Sequence, residues 1–296
     1  MSRLAEIELF VALAEEDGFS AAALRLGLSQ SAVSRGLKRL EDRIGVRLIA
    51  RTTRRMNLTD AGHAFLGRCR QILADLAEAE DALAAAADLP RGRLRVSCAS
   101  AFGRRHVVPL LPGFRQAYPG IEIDLVLDDR YVDFVGDAVD LAIRLGPPEG
   151  QGLAVRRLGQ TRRILCAAPG YFAGRPIPAV PRDLESHECL VLSVYGGRDR
   201  WRFTGPDGRP ATVRVAAAMR LNDAEALRTV ALGGGGITIL PDYIAGQDLA
   251  YGRLVEVLPA FALPPVPIYV VLPERRLQSR RVRCFVDHLA AALRLS

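Results

Sequence analysis

Hydrogen-bonding and basic side chains recur at helical spacing in residues 30–44, opposite a row of apolar residues. The apolar row is formed by Val33, Leu37, Leu40 and Ile44, which would share one face of a helix. The opposite face presents donors and acceptors suited to base edges and phosphates, namely Gln30, Ser31, Ser34, Arg35, Lys38 and Arg39. Such side chains contact bases when the first half of a helix enters a major groove. The pattern predicts a DNA-binding face, although a basic outer face by itself is also typical of a solvated helix.

The net charge of the chain is concentrated around this helix. Arginine and lysine number 40 and aspartate and glutamate 33, which gives a net charge of +7. Residues 25–59 contain nine basic and two acidic residues, so this window carries the whole excess and the rest of the chain sums to zero. A local basic patch on a neutral body is typical of a surface that binds nucleic-acid phosphates.

Two short helices joined by a tight turn are needed to position the predicted face. Ser20 is placed to cap a first helix that Gly27 closes. Ser29 is placed to cap the second helix, over residues 30–44, which ends at Gly45. Two helices separated by so short a turn form a helix-turn-helix.

A basic wing is predicted after the second helix. Residues 46–49 and Met56–Leu58 are predicted to pair as two short strands, and the tip between them would contact the DNA backbone or the minor groove. The predicted DNA-binding residues are therefore the outer face of the second helix, the caps Ser20 and Ser29, and four residues of the wing. Those four are Arg51, Thr53, Arg54 and Arg55.

Gly36 lies in the middle of the second predicted helix. Glycine there costs about 1 kcal/mol relative to alanine. Two explanations stay open, a close approach to a phosphate and a tolerated defect without a role.

A long alanine-rich helix is predicted over residues 60–88. Its apolar residues alternate at spacings of four and three, which is the pattern of a helix that packs against a partner helix. These residues are Phe65, Cys69, Ile72, Leu76, Ala79 and Leu83. The stripe predicts dimerisation, and packing against its own chain is the alternative.

The N-terminal motifs resemble those of the LysR-type transcriptional regulators. The resemblance is dense in FSAAALRLGLSQSAVSRGLKRLE at 19–41, and it continues through GVRL at 45–48, RTTR at 51–54 and LTDAG at 58–62. A looser resemblance runs through FRQAYP at 114–119, DLAIR at 140–144 and GGITILP at 235–241. Members of the family often carry proline where Ser31 stands and glutamine where Gly36 stands.

The resemblance implies an architecture, an assembly and a partner. It implies a winged helix-turn-helix at 1–59, a linker and dimerisation helix at 60–89, and an effector-binding region at 90–296. That region would be an α/β domain like a periplasmic solute-binding protein, with subdomain I at about 91–160 and 265–296 and subdomain II at about 161–264. The resemblance also implies a dimer of dimers that contacts RNA polymerase at a promoter.

The residues after Arg91 independently indicate an α/β fold, because short aliphatic runs alternate with helical segments. Strands are predicted at 94–98, 121–127, 141–145, 164–167, 190–194, 213–219, 237–240 and 268–272. Helices are predicted at 107–118, 223–232 and 282–293. The four glycines at 233–236 are predicted to form a helix end and a tight turn rather than a phosphate-binding loop.

Two corners where a strand passes into a helix are candidates for an effector site. Open α/β sheets bind ligands at the carboxyl ends of strands, where helix N-termini supply free N–H groups. A small anionic effector would then contact Ser100, Ala101, Phe102, Arg144, Tyr195 and Asn222. The alternatives are that Ser100 and Asn222 only cap helices and that Arg144 pairs with a structural carboxylate such as Asp140.

Other classes of protein find little support in the sequence. Five scattered cysteines and four separated histidines predict reduced thiols and no disulfide framework, metal site or cofactor. No enzyme motif is present, which disfavours a catalytic function. The alternative function is that of a cytosolic small-molecule-binding protein or an enzyme of similar α/β fold. The sequence also lacks a signal peptide and a transmembrane run, which predicts a cytoplasmic protein.

Overall fold

The computed structural model describes residues 1–16, 18–51, 56–83, 90–130, 132–134, 136–147, 152–193, 199–274, 276 and 279–293. Contacts between residues divide the chain into two compact units. The first comprises Met1–Arg95, Gly120–Glu122 and Val132–Asp140, and the second comprises Val96–Pro119, Ile123–Tyr131 and Leu141–Ser296. None of the described helices is both long and apolar enough to span a membrane.

Helices and one short hairpin form the N-terminal part of the first unit. The elements are α1 (Arg3–Glu15), α2 (Phe19–Leu26), α3 (Gln30–Ile44), β1 (Ile49–Arg51), β2 (Met56–Leu58) and α4 (Asp60–Leu83). The apolar faces of α1, α2 and α3 meet in one core with the start of α4. The helix-turn-helix and the hairpin of a wing are thus present, but the first strand is Ile49–Arg51 and not the predicted 46–49, so Arg51 belongs to the strand. The two strands pair in antiparallel register from Ile49 with Leu58 to Arg51 with Met56.

The caps of the helix-turn-helix differ in part from the prediction. Ser29 caps α3 as expected, because its Oγ accepts a hydrogen bond from the N–H of Ala32 at 3.2 Å. The cap assigned to Ser20 is wrong, because α2 begins one residue earlier at Phe19 and its N-cap is Gly18. Gly27 closes α2 in the left-handed conformation with φ of 64°, which glycine adopts without steric cost.

Gly36 serves packing rather than contact with a phosphate. It is buried on the face of α3 that meets α1, where a Cβ atom would lie 2.5 Å from Cδ1 of Leu9. The absence of a side chain lets the two helices approach closely. The phosphate explanation is therefore wrong, and the helix defect has a structural role.

The predicted stripe on α4 divides between the core and the surface. Cys69 is fully buried in the N-terminal core, and Phe65 packs against Phe10 with ring centroids 5.5 Å apart. These two residues therefore follow the alternative, packing against their own chain, and their assignment to a dimer interface is corrected. Ile72 and Leu76 remain 46% and 37% exposed. The helix is described to Leu83, whose side chain, like that of Ala79, lies outside the described set.

Two five-stranded sheets and a hairpin form the C-terminal region. Its strands are β3 (Gly92–Cys98), β4 (Ile121–Leu127), β5 (Leu141–Leu145), β6 (Leu153–Thr161), β7 (Arg163–Ala167), β8 (Cys189–Leu192), β9 (Arg200–Thr204), β10 (Pro210–Arg214), β11 (Ala217–Leu221), β12 (Ile237–Pro241), β13 (Val255–Glu256) and β14 (Val266–Pro273). Its helices are α5 (Ser100–Phe102), α6 (Leu111–Ala117), α7 (Ala224–Leu232), α8 (Asp242–Ala250) and α9 (Arg280–Ala292). A π turn over Gly103–Val107 and a 3-10 turn over Val108–Leu110 join α5 to α6.

The order of strands mixes parallel and antiparallel neighbours. The first sheet has the order β4-β3-β5-β14-β6, and the second has the order β11-β8-β12-β7-β13. Strand β3 runs parallel to β5, and β8 runs parallel to both β11 and β12. Strands β9 and β10 form a separate antiparallel hairpin. Strands after long intervals in sequence thus become neighbours, as expected of an α/β fold.

The sequence prediction differs from the structure at several elements of this region. The strand predicted over 213–219 is in fact two strands, β10 and β11. The window contains only the last two residues of β10 and the first three residues of β11. Strands β6 and β9 and helix α8 were not predicted. Gly233 ends α7 and Gly234 has φ of 78°, so the glycine run forms the predicted helix end and turn.

Candidate functional site

The outer face of α3 is open to solvent. Gln30, Ser31, Arg35, Lys38 and Arg39 are exposed, and Ser34 is half-buried. The apolar residues predicted to face inward, Val33, Leu37 and Leu40, are buried in the core. The helix therefore presents the predicted donors and acceptors in the first three turns after its cap.

The basic residues of this region fall into two groups. Arg43 donates to Oε2 of Glu6 at 2.8 and 3.1 Å, and Arg25 donates to Oε2 of Glu15 at 2.9 Å. Each of these arginines holds two helices of the domain together. By contrast, within the described chain no ion pair is formed by Arg35, Lys38 or Arg39. The second group is therefore available to phosphates and bases.

A buried carboxylate joins α3 to the wing. Glu41 is only 4% exposed, and its Oε1 accepts hydrogen bonds from the N–H groups of Leu48 and Ile49 at 2.8 and 3.2 Å. Its Oε2 accepts from Arg47 at 3.1 Å. A buried carboxylate is stable only with such donors. This role of Glu41 was not predicted, although Glu41 and Asp42 are the single acidic pair in the basic window 25–59, a signal that could have indicated it.

A second carboxylate, Glu15, lies among three arginines. Its oxygens are 2.9 Å from both Arg25 and Arg70 and 3.7 Å from Arg93. Burial alone would raise the pKa of Glu15, but the hydrogen bond from Arg25 and the charge of Arg70 outweigh it and hold the pKa below its usual value. The cluster fixes α1 to α2, α4 and the start of β3.

Most of the wing tip lies outside the described residues. Thr53, Arg54 and Arg55 lie outside the described residues, and of Arg51 only the backbone, at the end of β1, is described. Ser20 is exposed at the start of α2. The contacts assigned to these residues stay predictions.

The C-terminal region contains a cavity of about 400 Å³. This volume lies within the range of small-molecule sites. The described side chains that line it are Ser100, Leu127, Asp128, Asp129, Arg130, Ser193, Asn222 and Asp223.

The lining follows from the topology of the two sheets. Four lining residues come one or two positions after the carboxyl ends of β3, β4, β8 and β11, namely Ser100, Asp128, Ser193 and Asn222. Ligands bind at this edge of open α/β sheets. Ser100 and Asn222 were predicted from this preference for the carboxyl ends of strands. The run Asp128-Asp129-Arg130 was not predicted, although it directly follows the predicted strand 121–127.

Each carboxylate of the lining has a different partner. Asp128 accepts from Arg130 at 2.8 Å, and this hydrogen bond holds the pKa of Asp128 below its usual value. Oδ1 of Asp129 accepts from the N–H of Ser100 at 3.1 Å. Oδ1 of Asp223 caps α7 by accepting from the N–H of Ala226 at 2.7 Å.

The other residues predicted to bind the effector are placed elsewhere. Ala101 and Phe102 are buried, with Phe102 fully enclosed beside His106 at a centroid distance of 4.7 Å. These two side chains pack in the core because the helix that follows Ser100 turns them away from the cavity. Tyr195 lies outside the described residues.

Arg144 is not among the described residues that line the cavity, although it contacts Arg130, which does line it. Its guanidinium donates to Oγ of Ser97 at 2.6 Å and to the carbonyls of Ile143 and Arg130 at 3.0 and 3.3 Å. The carboxylate of Asp140 accepts from the backbone N–H of Arg95 at 2.9 Å. The predicted contact of Arg144 with an effector carboxylate is not supported, since Arg144 is not among the described lining residues and its guanidinium donates to Ser97, Ile143 and Arg130.

The buried cysteine thiols stay protonated at neutral pH. Burial raises the pKa of Cys69, Cys98, Cys166 and Cys189 to about 12. Thiolate is the reactive form of cysteine, so these four residues are inert at neutral pH. Among the described residues, no three histidine, cysteine or acidic side chains are grouped so as to hold a metal ion.

Two family models match the chain over its two regions. The bacterial regulatory helix-turn-helix protein, lysR family, matches residues 4–63, and the LysR substrate binding domain matches residues 87–294. Together they extend over nearly the whole sequence.

Named relatives and solved structures are similar over the same length. The HTH-type transcriptional regulator PtxR of Pseudomonas aeruginosa is 36% identical over 283 residues, which cover 95% of this chain and 89% of the relative. The structure of CrgA, a LysR-type transcriptional regulator from Neisseria meningitidis, is 32% identical with a TM-score of 0.61 and covers 98% of this chain and 99% of its own. The full-length structure of AphB, a virulence activator of Vibrio cholerae, is 26% identical with a TM-score of 0.65 and covers 99% of this chain and 100% of its own.

Proposed function

The chain belongs to the LysR-type transcriptional regulators, and on that premise we propose that α3 binds promoter DNA and that the cavity holds the effector. As a member of this family it is a DNA-binding regulator with an effector-binding domain, and the named relatives are regulators rather than enzymes. The predicted fold, a helix-turn-helix followed by an α/β effector region, is confirmed.

The observation that carries the assignment of the DNA surface is the sorting of the basic residues. Arg35, Lys38 and Arg39 are exposed on one face of α3 and have no carboxylate partner within the described chain. Phosphate contacts supply most of the affinity of a DNA-binding protein, and bidentate arginine contacts to guanine supply specificity. The exposed face of α3 has the side chains for both.

Assembly, partners and location follow from the same premise. We expect a dimer of dimers, in which the exposed Ile72 and Leu76 of α4 contact a second chain. The assembly would bind two half-sites of an operator, contact RNA polymerase at the promoter and act in the cytoplasm. Effector binding would change how the two α/β subdomains close, and through the tetramer the bend of the DNA.

The test of the DNA surface compares two arginine variants. Arg35→Ala is expected to weaken binding to the operator upstream of its own gene by about 1–3 kcal/mol, measured by fluorescence anisotropy. The control is Arg209→Ala, which removes an equally charged and exposed side chain from the turn between β9 and β10. Equal affinities of the two variants would contradict the assignment of Arg35 to the DNA surface.

A further inference from the structure

The charges around the cavity favour one chemical class of effector. Three of its described lining residues are aspartates and one is an arginine. In place of the anionic effector predicted from the sequence, we propose that the effector carries a protonated amine or guanidinium group. The inference rests on the proposed function, because it takes this cavity as the effector site.

The helix N-termini at the cavity already have anionic partners. An anionic ligand at such a site would bind the free N–H groups of a helix start. Here the N–H of Ser100 donates to Asp129 at 3.1 Å, and the N–H of Ala226 donates to Asp223 at 2.7 Å. An incoming carboxylate would have to displace an aspartate that is part of the fold. These two corners therefore disfavour an anion.

The single arginine among the described lining residues is already paired with an aspartate. Arg130 is paired with Asp128, with its Nη2 at 2.7 Å from Oδ2. Asp223 has a looser contact with Arg104 at 3.5 Å. Asp129 is half-buried and forms no ion pair within the described residues. Asp129 thus presents a carboxylate to the cavity without an ion-pair partner among the described residues, and such a group attracts a cation.

Ser100 supplies a second, independent sign that a ligand belongs here. It is only 9% exposed and it lines the cavity. Within the described chain its Oγ has no hydrogen-bond partner. The oxygen itself is open to the cavity, so a ligand group there can form a hydrogen bond with it. A hydroxyl and a carboxylate side by side are both acceptors, and an ammonium or guanidinium group donates to both.

The test uses small ligands of opposite charge whose alkyl chains are three or four carbon atoms long. Butylammonium, butylguanidinium and butyrate would be titrated into the full-length protein by saturation-transfer difference NMR, which detects weak binding. We expect both cations to bind and butyrate not to bind. Asp129→Asn is expected to weaken cation binding about tenfold, since a tenfold change corresponds to about 1.4 kcal/mol. Asparagine keeps the oxygen that accepts from Ser100, so the fold is preserved.

Two further variants separate the failure of this inference from the failure of the proposed site. Glu185→Gln removes an exposed carboxylate away from the cavity and should leave binding unchanged. Asn222→Trp places a large side chain at the exposed rim of the cavity and should abolish binding.

Three results would count against the proposals. Butyrate binding that Asn222→Trp abolishes would overturn the cationic class and keep the cavity as the site. Cation binding that neither Asn222→Trp nor Asp129→Asn weakens would overturn the assignment of the cavity itself. The absence of cation binding up to about 10 mM, ten times a millimolar dissociation constant, would overturn the cationic class.

Discussion

Single buried carboxylates organise much of this protein. Glu41 holds the backbone of β1 to the end of α3. Asp248, with no exposed surface, accepts from Arg228 and from Arg253, the latter at 2.6 Å. In each case several donors surround a carboxylate that would be costly to bury alone. For Asp248, this arrangement also makes the stability of the fold depend on pH.

Asp248 gives a direct test of that dependence. The hydrogen bond from Arg228, which outweighs burial, holds the pKa of Asp248 below its usual value. A carboxyl group whose pKa is lower in the folded state stabilises the fold above its unfolded pKa, and this contribution is lost as the pH falls through the folded value. Asp248→Asn is therefore expected to lower the free energy of unfolding by about 3 kcal/mol at neutral pH and to reduce the loss of stability below about pH 4.

The measurement for Asp248 is urea unfolding followed by the fluorescence of Trp201, the single tryptophan of the chain. Trp201 is buried in the hydrophobic core of the second sheet. Asp287→Asn is the control, since Asp287 and its partner Arg156 are both more than half exposed and such pairs contribute little. A pH profile of Asp248→Asn parallel to that of the unaltered protein would contradict the prediction.

The sequence predicted which side chains of α3 face outward, because helical periodicity is a local property. It could not predict which arginines are paired. Glu6, the partner of Arg43, is 37 residues away in sequence, and only the packing of α1 on α3 brings the two together. The same limit explains the unpredicted pairing of Arg144 with Ser97, which depends on the order of strands in a sheet.

At the scale of the elements, the junction of the wing and α4 is closely packed. Thr59 donates from its hydroxyl to the carbonyl of Arg47 at 2.8 Å, and the same oxygen accepts from the N–H of Gly62 at 2.9 Å. A Cβ atom at position 62 would lie 2.1 Å from the carbonyl oxygen of Leu48. The LTDAG motif at 58–62 thus joins β2, the chain before β1 and the start of α4.

Gly62→Ala is expected to destabilise the N-terminal domain by about 1–3 kcal/mol, because the backbone of Leu48 must move. The gain in helix propensity, about 1 kcal/mol, is too small to offset this. Gly246→Ala is the matched control, since Gly246 lies inside α8 with open space around it, and there the propensity gain should raise stability. Thermal unfolding followed by circular dichroism would measure both. A rise in the melting temperature of Gly62→Ala would contradict the close packing at this junction.

Two of the elements whose bounds differ from the prediction have different physical causes. Helix α2 begins at Phe19 because the left-handed region is open to Gly18, with φ of 125°, so Ser20 is already inside the helix. Residues 213–219 are apolar enough for one strand, but Val213 pairs with Trp201 in the hairpin and Met219 pairs with Leu190 in the second sheet. Strand identity here is decided by partners distant in sequence, which a local pattern does not contain.

In the whole molecule, ion pairs connect the two sheets beside the cavity. Arg105, in the π turn after β3, donates to Glu225 of α7 at 3.0 and 3.1 Å, and its neighbour Arg104 lies 3.5 Å from Asp223. Asp223 lines the same cavity, so a cationic effector bound at Asp129 would bring a second positive charge toward the contact of Arg104 with Asp223. Effector binding would thereby change a contact between the two halves of the effector region, which is what an allosteric regulator requires.

The dimer proposed to carry this change to DNA would form through the exposed part of α4. Ile72 and Leu76 lie one helical turn apart and are the exposed members of the described stripe. Each apolar side chain buried against a second chain contributes about 1.5–3 kcal/mol. The double variant Ile72→Glu, Leu76→Glu is therefore expected to raise the dissociation constant of the dimer at least about a hundredfold, measured by sedimentation velocity. Ile177→Glu, at a position 67% exposed outside α4, should leave the oligomeric state unchanged. If the double variant assembles like the unaltered protein, the dimer contact lies elsewhere. If operator binding weakens as the dimer dissociates, the contact through α4 is what brings two α3 helices to the DNA.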